Sequence, residues 1–121
     1  MARILLADDD AATRDLVKRA LEGDGHAVEV TQDGGEALDR VKRAGALKFD
    51  LLVSDVEMPL IDGVKLAEEA SSLQPGLRVL LMSGFADQLE RAKTLKGPPV
   101  AVISKPFTLD QVRTAVRKLL A

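Results

Sequence analysis

The sequence contains no cysteine, and this absence excludes several classes of site at once. Without thiols the chain has no disulfide framework, no thiolate metal site and no cysteine nucleophile. Tryptophan and tyrosine are also absent, and the aromatic residues are limited to Phe49, Phe85 and Phe107. Three phenylalanines are too few for a surface that stacks nucleic-acid bases, so we do not expect a nucleic-acid partner.

An excess of charge of one sign is also missing. The chain has 17 Lys+Arg against 19 Asp+Glu, a formal net charge of −2, which disfavours nucleic acid and anionic membranes as main partners. No apolar run is long enough to span a membrane, and the N-terminal residues do not resemble a signal peptide, so we expect a cytoplasmic protein. The 121 residues are expected to form one domain, 1–121, without an output domain.

Short apolar segments alternate five times with longer amphipathic stretches of helical period. The segments predict strands over residues 4–7, 27–30, 51–54, 77–82 and 100–104. Three of them are continuously apolar, which is typical of strands buried on both faces of a parallel sheet. Right-handed crossovers would place helices on both faces. We therefore predict an α/β fold, a doubly wound sheet of five parallel strands with five helices.

The borders of the predicted helices are marked by capping residues. Asp33 with Glu36 and Thr108 with Gln111 have the spacing of capping boxes. Gly25 can end the first helix in a left-handed conformation. Two further helix caps are expected at Asp10 and at Asp62-Gly63.

The unusual polar residues follow the predicted strands, where ligands bind in such sheets. Asp8 and Asp9 follow the first strand, and two neighbouring carboxylates that lose hydration favour a cation, although acidic clusters also occur on solvated surfaces. Asp55 follows the third strand. If the first and third strands are neighbours, the three carboxylates converge and fit an octahedral oxygen site for Mg²⁺.

Two further polar residues follow the last two strands. Ser83 comes before Gly84, and Lys105 comes before Pro106, where a cis bond is one possibility for the turn. Each residue is a weak signal alone, since serines and lysines are common at strand ends. In combination, a divalent cation and Lys105 can neutralise a phosphoryl group, Ser83 can hydrogen-bond to it, and Asp55 can attack phosphorus in line.

The order and spacing of these residues resemble the receiver domains of bacterial two-component response regulators, of the CheY type, over the whole chain. The motifs that carry the resemblance are Ile4-Leu5-Leu6-Ala7-Asp8-Asp9, Arg14, Val53-Ser54-Asp55-Val56-Glu57-Met58-Pro59, Asp62-Gly63, Met82-Ser83-Gly84 and Lys105-Pro106-Phe107. The resemblance implies a flavodoxin/CheY-like sheet of order 2-1-3-4-5.

The same resemblance implies a role for each site residue. Asp55 would be the phosphoacceptor, and Ser83 and Lys105 would hold the phosphoryl oxygens. Asp9, Asp55 and the backbone carbonyl of Glu57 would bind Mg²⁺ directly, with Asp8 acting mainly through water. The donor would be a phosphohistidine on a histidine kinase or a histidine phosphotransfer protein. The implied activity is signalling with self-catalysed phosphorylation and dephosphorylation, not enzymatic turnover.

The switch that reports phosphorylation departs from the family pattern. Many members carry Tyr or Phe three residues before the lysine, where this chain has Val102. Val102 is short and β-branched, so it can fill little space by rotating when Ser83 moves. Phe85 is therefore the candidate switch residue, and a fixed packing role is the alternative.

The segment over residues 82–87 resembles one subgroup of stand-alone receivers. That subgroup is linked to cell-cycle control and to delivery of substrates to a Clp-type AAA+ protease, with phosphorylation turning delivery off. The resemblance therefore implies a downstream protein target, and the protease is one candidate.

Two other functions remain open from the sequence. One is a Mg²⁺-dependent phosphatase that turns over through an aspartyl phosphate, with Glu57 as the second carboxylate. The other is a pseudo-receiver scaffold that never takes phosphate, against which the intact set of site residues argues. His26 is interpreted as structural or solvated. The basic stretch of Arg40, Lys42, Arg43 and Lys48 is interpreted as a solvated helix face.

Overall fold

The computed structural model describes residues 2–45, 47–85, 90 and 100–121. Within these residues the chain forms five strands and four helices. In chain order they are β1 (Arg3–Ala7), α1 (Ala11–Gly23), β2 (Ala27–Thr31), α2 (Gly34–Arg43), β3 (Leu51–Asp55), α3 (Gly63–Leu73), β4 (Arg78–Ser83), β5 (Val100–Ser104) and α4 (Leu109–Leu120). The remaining predicted helix, between β4 and β5, lies outside the described residues.

The strands form one parallel sheet in the order β2-β1-β3-β4-β5, which confirms the predicted topology. The central strands β1 and β3 are neighbours, with Leu6 opposite Val53. Two strands extend further than expected: Asp55 is the last residue of β3 and lies opposite Met82, and Ser83 is the last residue of β4. Asp55 and Ser83 therefore end their strands instead of following them.

Both faces of the sheet are covered by helices, which explains why the central strands are continuously apolar. On one face Leu5 and Leu52 pack with Leu66 of α3. On the other face Val53 packs with Val17 of α1 and with residues of α4 such as Val112. The two clusters fix the position of every strand end relative to its neighbours.

The predicted helix caps are present, with one difference. The side chains of four residues accept a hydrogen bond from the third residue that follows, namely Asp10, Asp33, Asp62 and Thr108. Thr108 and Gln111 form the complete capping box. The second expected box is only half formed, because Glu36 accepts from the backbone N–H of Gln32 at 3.4 Å. Its other carboxylate oxygen lies 3.6 Å from Arg40, one turn further along α2.

The single histidine, His26, has a structural role at the edge of the sheet opposite the candidate site. Nδ1 of His26 accepts a hydrogen bond from the backbone N–H of Ala2 at 3.1 Å, which links the starts of β1 and β2. Nearby, Gly25 has a φ of +89°, the left-handed conformation expected after α1. Among the helices that the structure describes, none is both long and apolar enough to cross a membrane.

The basic stretch on and after α2 faces solvent, as interpreted from the sequence. Arg43 pairs with Asp39 one turn earlier at 3.0 Å, and both side chains are exposed. Lys42 and Lys48 are exposed as well. Ion pairs of this kind contribute little to stability, so this face tolerates changes of charge.

Candidate functional site

The carboxyl edge of the sheet brings together the polar residues that the sequence places at four strand ends. All strands of a parallel sheet end at the same edge, so residues distant in sequence become neighbours there. The residues are Asp8 and Asp9 after β1, Asp55 at the end of β3, Ser83 at the end of β4 and Lys105 after β5.

Three carboxylates form a cluster at this edge. Oxygen atoms of Asp8, Asp9 and Asp55 all lie within 4.8 Å of one another. Asp8 is fully buried and Asp55 is 4% exposed, whereas Asp9 faces solvent. The cluster is therefore a partly covered site with one side open to water.

The two carboxylate oxygens of Asp8 differ in their hydrogen bonding. Oδ1 of Asp8 accepts from the backbone N–H of Asp10 at 2.9 Å, but Oδ2 is buried with no partner among the described residues. A buried carboxylate oxygen without a partner is costly, and such an atom in a group of carboxylates suits a bound cation. Burial raises the pKa of Asp8 to about 6, opposed by the Asp10 N–H and by Lys105, and the negative charges of Asp55 and Asp9 raise it further.

The loop that carries Asp8 is fixed by its backbone. Arg14 donates from its guanidinium to the carbonyl oxygen of Asp8 at 2.9 Å. The N–H of Asp8 donates to the carbonyl of Thr31, at the end of β2, at 3.2 Å. Arg14, in the first turn of α1, thus positions the backbone of Asp8. In the sequence, only its place in the family motif singles out Arg14.

Lys105 and Asp55 form an ion pair at the opposite side of the cluster. Nζ of Lys105 lies 2.9 Å from Oδ2 of Asp55, and the side chains are 30% and 6% exposed. Burial lowers the pKa of Lys105, but the hydrogen bond and the charge of Asp55, with those of Asp8 and Glu57, outweigh it and raise the pKa above its ordinary value. The ammonium is therefore charged at neutral pH. The bond between Lys105 and Pro106 is cis.

Ser83 contacts a second acidic residue. Its Oγ lies 3.5 Å from Oε1 of Glu57, to which it donates, and it accepts from the backbone N–H of Phe85 at 3.1 Å. The N–H of Glu57 donates to Oδ1 of Asp55 at 3.3 Å. The contact of the Glu57 side chain with Ser83, 26 residues away, has no signal in the sequence, which implies only the backbone carbonyl of Glu57 as a ligand.

The backbone of Asp55 is held from two directions. Ser54 donates from Oγ to the carbonyl of Asp55 at 2.8 Å. Gly63, the first residue of α3, packs against the same carbonyl, because a Cβ at position 63 would lie 2.3 Å from it. Sequence reasoning interpreted Asp62-Gly63 as helix-cap chemistry, which is confirmed for Asp62, and missed the packing of Gly63 on Asp55.

The two candidate switch residues differ in burial. Val102 lies in β5 opposite Leu81, is half-buried and packs against the core on the α2–α3 side of the sheet. Phe85 follows β4 with its side chain 53% exposed. In this conformation Phe85 is thus more exposed than Val102.

Comparison with known proteins places this site in a family. Residues 4–117 match the response regulator receiver domain. The chain is 34% identical over 120 residues to the response regulator receiver protein CpdR of Brucella abortus, covering 99% of this chain and 98% of that protein. It is 36% identical to the response regulator MprA of Mycobacterium leprae, of which it spans only 50%.

A solved structure supports the same relationship. The receiver domain of the hybrid histidine kinase CckA superposes with a TM-score of 0.81 at 31% identity, covering 98% of this chain and 99% of that one. The family match spans nearly the whole sequence, and the sheet order is the one the resemblance implies. This chain belongs to the response regulator receiver domain family.

Proposed function

We propose that the chain is a phosphorylation-controlled receiver that accepts a phosphoryl group on Asp55 and thereby changes its affinity for a protein partner. The observation that carries the proposal is the position of the Asp55 carboxylate. One of its oxygens lies 2.9 Å from the ammonium of Lys105, and the acidic cluster with Asp8 and Asp9 lies beside it. A nucleophile between a fixed cation and a site for a divalent cation suits phosphoryl transfer.

The acidic cluster fits Mg²⁺. Oxygen ligands from several carboxylates are what this ion prefers. Oδ2 of Asp8 is buried and has no partner in the part of the chain that the structure describes, and a cation or its water would satisfy it. We propose that Asp9, Asp55 and the backbone carbonyl of Glu57 hold the ion directly and that Asp8 acts mainly through water. When bound, Mg²⁺ would supply positive charge that compensates the phosphoryl oxygens.

In the proposed reaction a carboxylate oxygen of Asp55 forms a bond to phosphorus. The P–N bond of the donor phosphohistidine breaks, and its electron pair stays on the imidazole nitrogen. Lys105 would exchange its contact with Asp55 for one with a phosphoryl oxygen, and the Ser83 hydroxyl would donate to another. In the later dephosphorylation, water attacks phosphorus and the electron pair of the bond between phosphorus and the Asp55 oxygen returns to Asp55. Both protons of the water leave with the phosphate.

The donor and the output are proposed from similarity. A histidine kinase or histidine phosphotransfer protein would deliver the phosphoryl group, as two-component receivers require. The similarity to CpdR supports a role as an adaptor in cell-cycle control, with a Clp-type AAA+ protease as the candidate target. The face formed by β5 and α4 offers a groove of about 630 Å³, lined by residues such as Val102, Ile103, Ala115 and Leu119, for such a partner.

Intact-mass spectrometry after treatment with phosphoramidate and Mg²⁺ tests the phosphoacceptor. We expect one phosphoryl group on the native protein and on the control Asp39→Asn, which removes an exposed carboxylate of α2, and none on Asp55→Asn. Lys105→Ala should fold, because its side chain is partly exposed, but should react more slowly. A label on Ser54 or Ser83 in Asp55→Asn would refute the assignment. Steady release of phosphate from small esters would favour the phosphatase alternative.

Fluorine NMR tests the proposed switch at Phe85. With fluorophenylalanine at all three phenylalanines, the solvent isotope shift of the Phe85 signal should be large in the free protein, because the side chain is 53% exposed. Addition of beryllofluoride and Mg²⁺ should reduce this shift if Phe85 becomes buried. Phe49, which is 2% exposed, is the internal control and should not change. An unchanged Phe85 signal in protein that has bound beryllofluoride would exclude Phe85 as the switch.

A further inference from the structure

Asp55 lies where the pairing of β3 changes from two neighbouring strands to one. The pairing of β1 with β3 ends at Ala7 opposite Ser54, so Asp55 lies one residue beyond it. On the other side Asp55 is still paired with Met82 of β4. The backbone of the candidate nucleophile is therefore held by strand pairing on one side only.

The hydroxyl of Ser54 supplies a hydrogen bond at this point. Its Oγ donates to the carbonyl oxygen of Asp55 at 2.8 Å, and the side chain is fully buried. A serine hydroxyl has a single proton to donate, and the other acceptor in range, Sδ of Met58 at 4.0 Å, is a weak one. The proton of Ser54 is therefore committed to the Asp55 carbonyl.

Ser54 is a polar residue on an apolar side of the sheet. It lies on the same side of β3 as Leu52, two residues earlier, and that side packs into the apolar cluster with α2 and α3. An apolar side chain would be buried more favourably there, because a hydroxyl that leaves water must be compensated by a hydrogen bond. The bond that compensates Ser54 is made to the backbone of the candidate nucleophile.

The contacts of the Asp55 carboxylate would change during the proposed reaction, whereas this backbone contact would not. In the free protein, Oδ2 of Asp55 contacts Lys105 at 2.9 Å and Oδ1 accepts from the N–H of Glu57 at 3.3 Å. When a carboxylate oxygen forms its bond to phosphorus, Lys105 would move its contact to a phosphoryl oxygen. The carbonyl of Asp55 takes no part in that exchange, so the bond from Ser54 can hold the residue in line throughout.

We propose that Ser54 is a positioning residue for phosphoryl transfer, which holds the backbone of Asp55 so that the carboxylate keeps its in-line geometry. This inference rests on the proposed function of Asp55. Ser54 acts through the backbone of Asp55 and supplies no group to the reacting atoms. Without its hydrogen bond the carboxylate would sample more orientations, and both the transfer to Asp55 and the later hydrolysis would slow.

The test compares three variants at position 54 with native protein. Ser54→Ala removes the hydroxyl and Ser54→Thr keeps it. Ser54→Cys fills the site with a weaker donor, so it makes the same comparison if the alanine variant does not fold. The control is Ile4→Val, because Ile4 is equally buried but is paired with Leu51 at the start of β3.

Three quantities are measured for each protein. Urea unfolding gives the stability. Intact mass gives the rate at which phosphoramidate and Mg²⁺ label Asp55, over a range of phosphoramidate concentrations. Intact mass also gives the lifetime of the phosphorylated form after the donor is removed.

We expect Ser54→Ala to be labelled about fivefold more slowly at saturating phosphoramidate, the rate equivalent of one hydrogen bond of about 1 kcal/mol. The half-saturating concentration should not change, and the phosphorylated form should lose phosphate more slowly by a similar factor. Ser54→Thr should recover most of the native rate and Ser54→Cys a part of it. Ile4→Val should lose stability but react at the native rate, which separates positioning from a general loss of stability.

Other outcomes would overturn the positioning role. If folded Ser54→Ala is labelled on Asp55 at the native rate, the role is wrong while the receiver function stands. If folded Ser54→Thr is as slow as Ser54→Ala, the effect comes from packing and not from the hydroxyl. Slower labelling with faster loss of phosphate would mean that Ser54 stabilises the phosphorylated form instead of the transfer geometry. If native protein does not label on Asp55, the proposed function fails, and the positioning role fails with it.

Discussion

A Cβ atom on Gly63 would lie 2.3 Å from the carbonyl oxygen of Asp55, so the start of α3 packs directly on the backbone of the candidate nucleophile. The same Cβ would lie 2.8 Å from Cα of Val56. These neighbours are backbone atoms, which cannot rotate away as a flexible side chain can. Any side chain at position 63 must therefore move the end of β3 or the start of α3.

Gly63→Ala should lower the free energy of unfolding by about 1–3 kcal/mol, the usual cost of overpacking. It should also slow the labelling of Asp55 by phosphoramidate, since the nucleophile would be displaced. Urea unfolding measures the first effect and intact mass the second. The control is Gly23→Ala at the end of α1, where a Cβ meets nothing within 4 Å among the described residues. This change should raise the free energy of unfolding by up to about 1 kcal/mol, because alanine favours the helix more than glycine does. Native stability of Gly63→Ala would contradict the packing argument.

The buried carboxyl of Asp8 predicts a pH dependence of stability without Mg²⁺. Its pKa rises from 3.8 to about 6, so the folded protein binds the proton more tightly than the unfolded chain. The stability from this group is thus fully present below about pH 4 and is lost as the pH rises through 6, by about 3 kcal/mol. Asp8→Asn should recover that stability at pH 7 and differ little from native protein near pH 4. Parallel stability curves for the two proteins would disprove the effect.

Mg²⁺ should stabilise the folded protein if the acidic cluster binds it. An ion that binds only the folded state at a hundredfold excess over its dissociation constant adds about 2.7 kcal/mol to the free energy of unfolding. Melting curves with and without Mg²⁺ measure the gain, which Asp9→Ala should abolish and Asp39→Ala should preserve. Asp9 faces solvent, so its replacement should leave the fold intact. Identical melting curves for native protein would rule out the site.

Leu60 has an unusual backbone conformation beside the site. Its φ is +72° although it is not a glycine, and its side chain is 85% exposed. The left-handed conformation costs an L-residue about 1–2 kcal/mol. Replacing the exposed side chain of Leu60 with the hydrogen of glycine removes little buried apolar surface. Leu60→Gly should therefore raise the free energy of unfolding by about 1 kcal/mol in urea.

Leu47→Gly is the matched control for this strain. Leu47 is 71% exposed but lacks the positive φ, so glycine should bring it no gain and should cost some chain entropy. If Leu60→Gly and Leu47→Gly change stability equally, the strain at Leu60 is negligible.

Most of the fold was predictable from the sequence because its signals are local. The short apolar segments predicted the strands to within one residue at their ends, and Thr108 with Gln111 predicted a capping box that the structure confirms. The pair Asp33 and Glu36 has the same spacing, yet Glu36 bonds to Gln32 instead. A side chain with several acceptors chooses among nearby donors, and spacing alone cannot rank them.

The sequence by itself determined which chemical groups stand at the carboxyl edge of the sheet, since parallel strands with polar ends must present Asp8, Asp9, Asp55, Ser83 and Lys105 together. Only the tertiary structure decided how these groups are connected. The packing of the helices on both faces sets the burial that leaves an oxygen of Asp8 without a partner among the described residues, and the distance that joins Lys105 to Asp55. It also turns Ser83 toward Glu57, because contacts between residues far apart in the chain depend on rotamers and burial that no local pattern encodes.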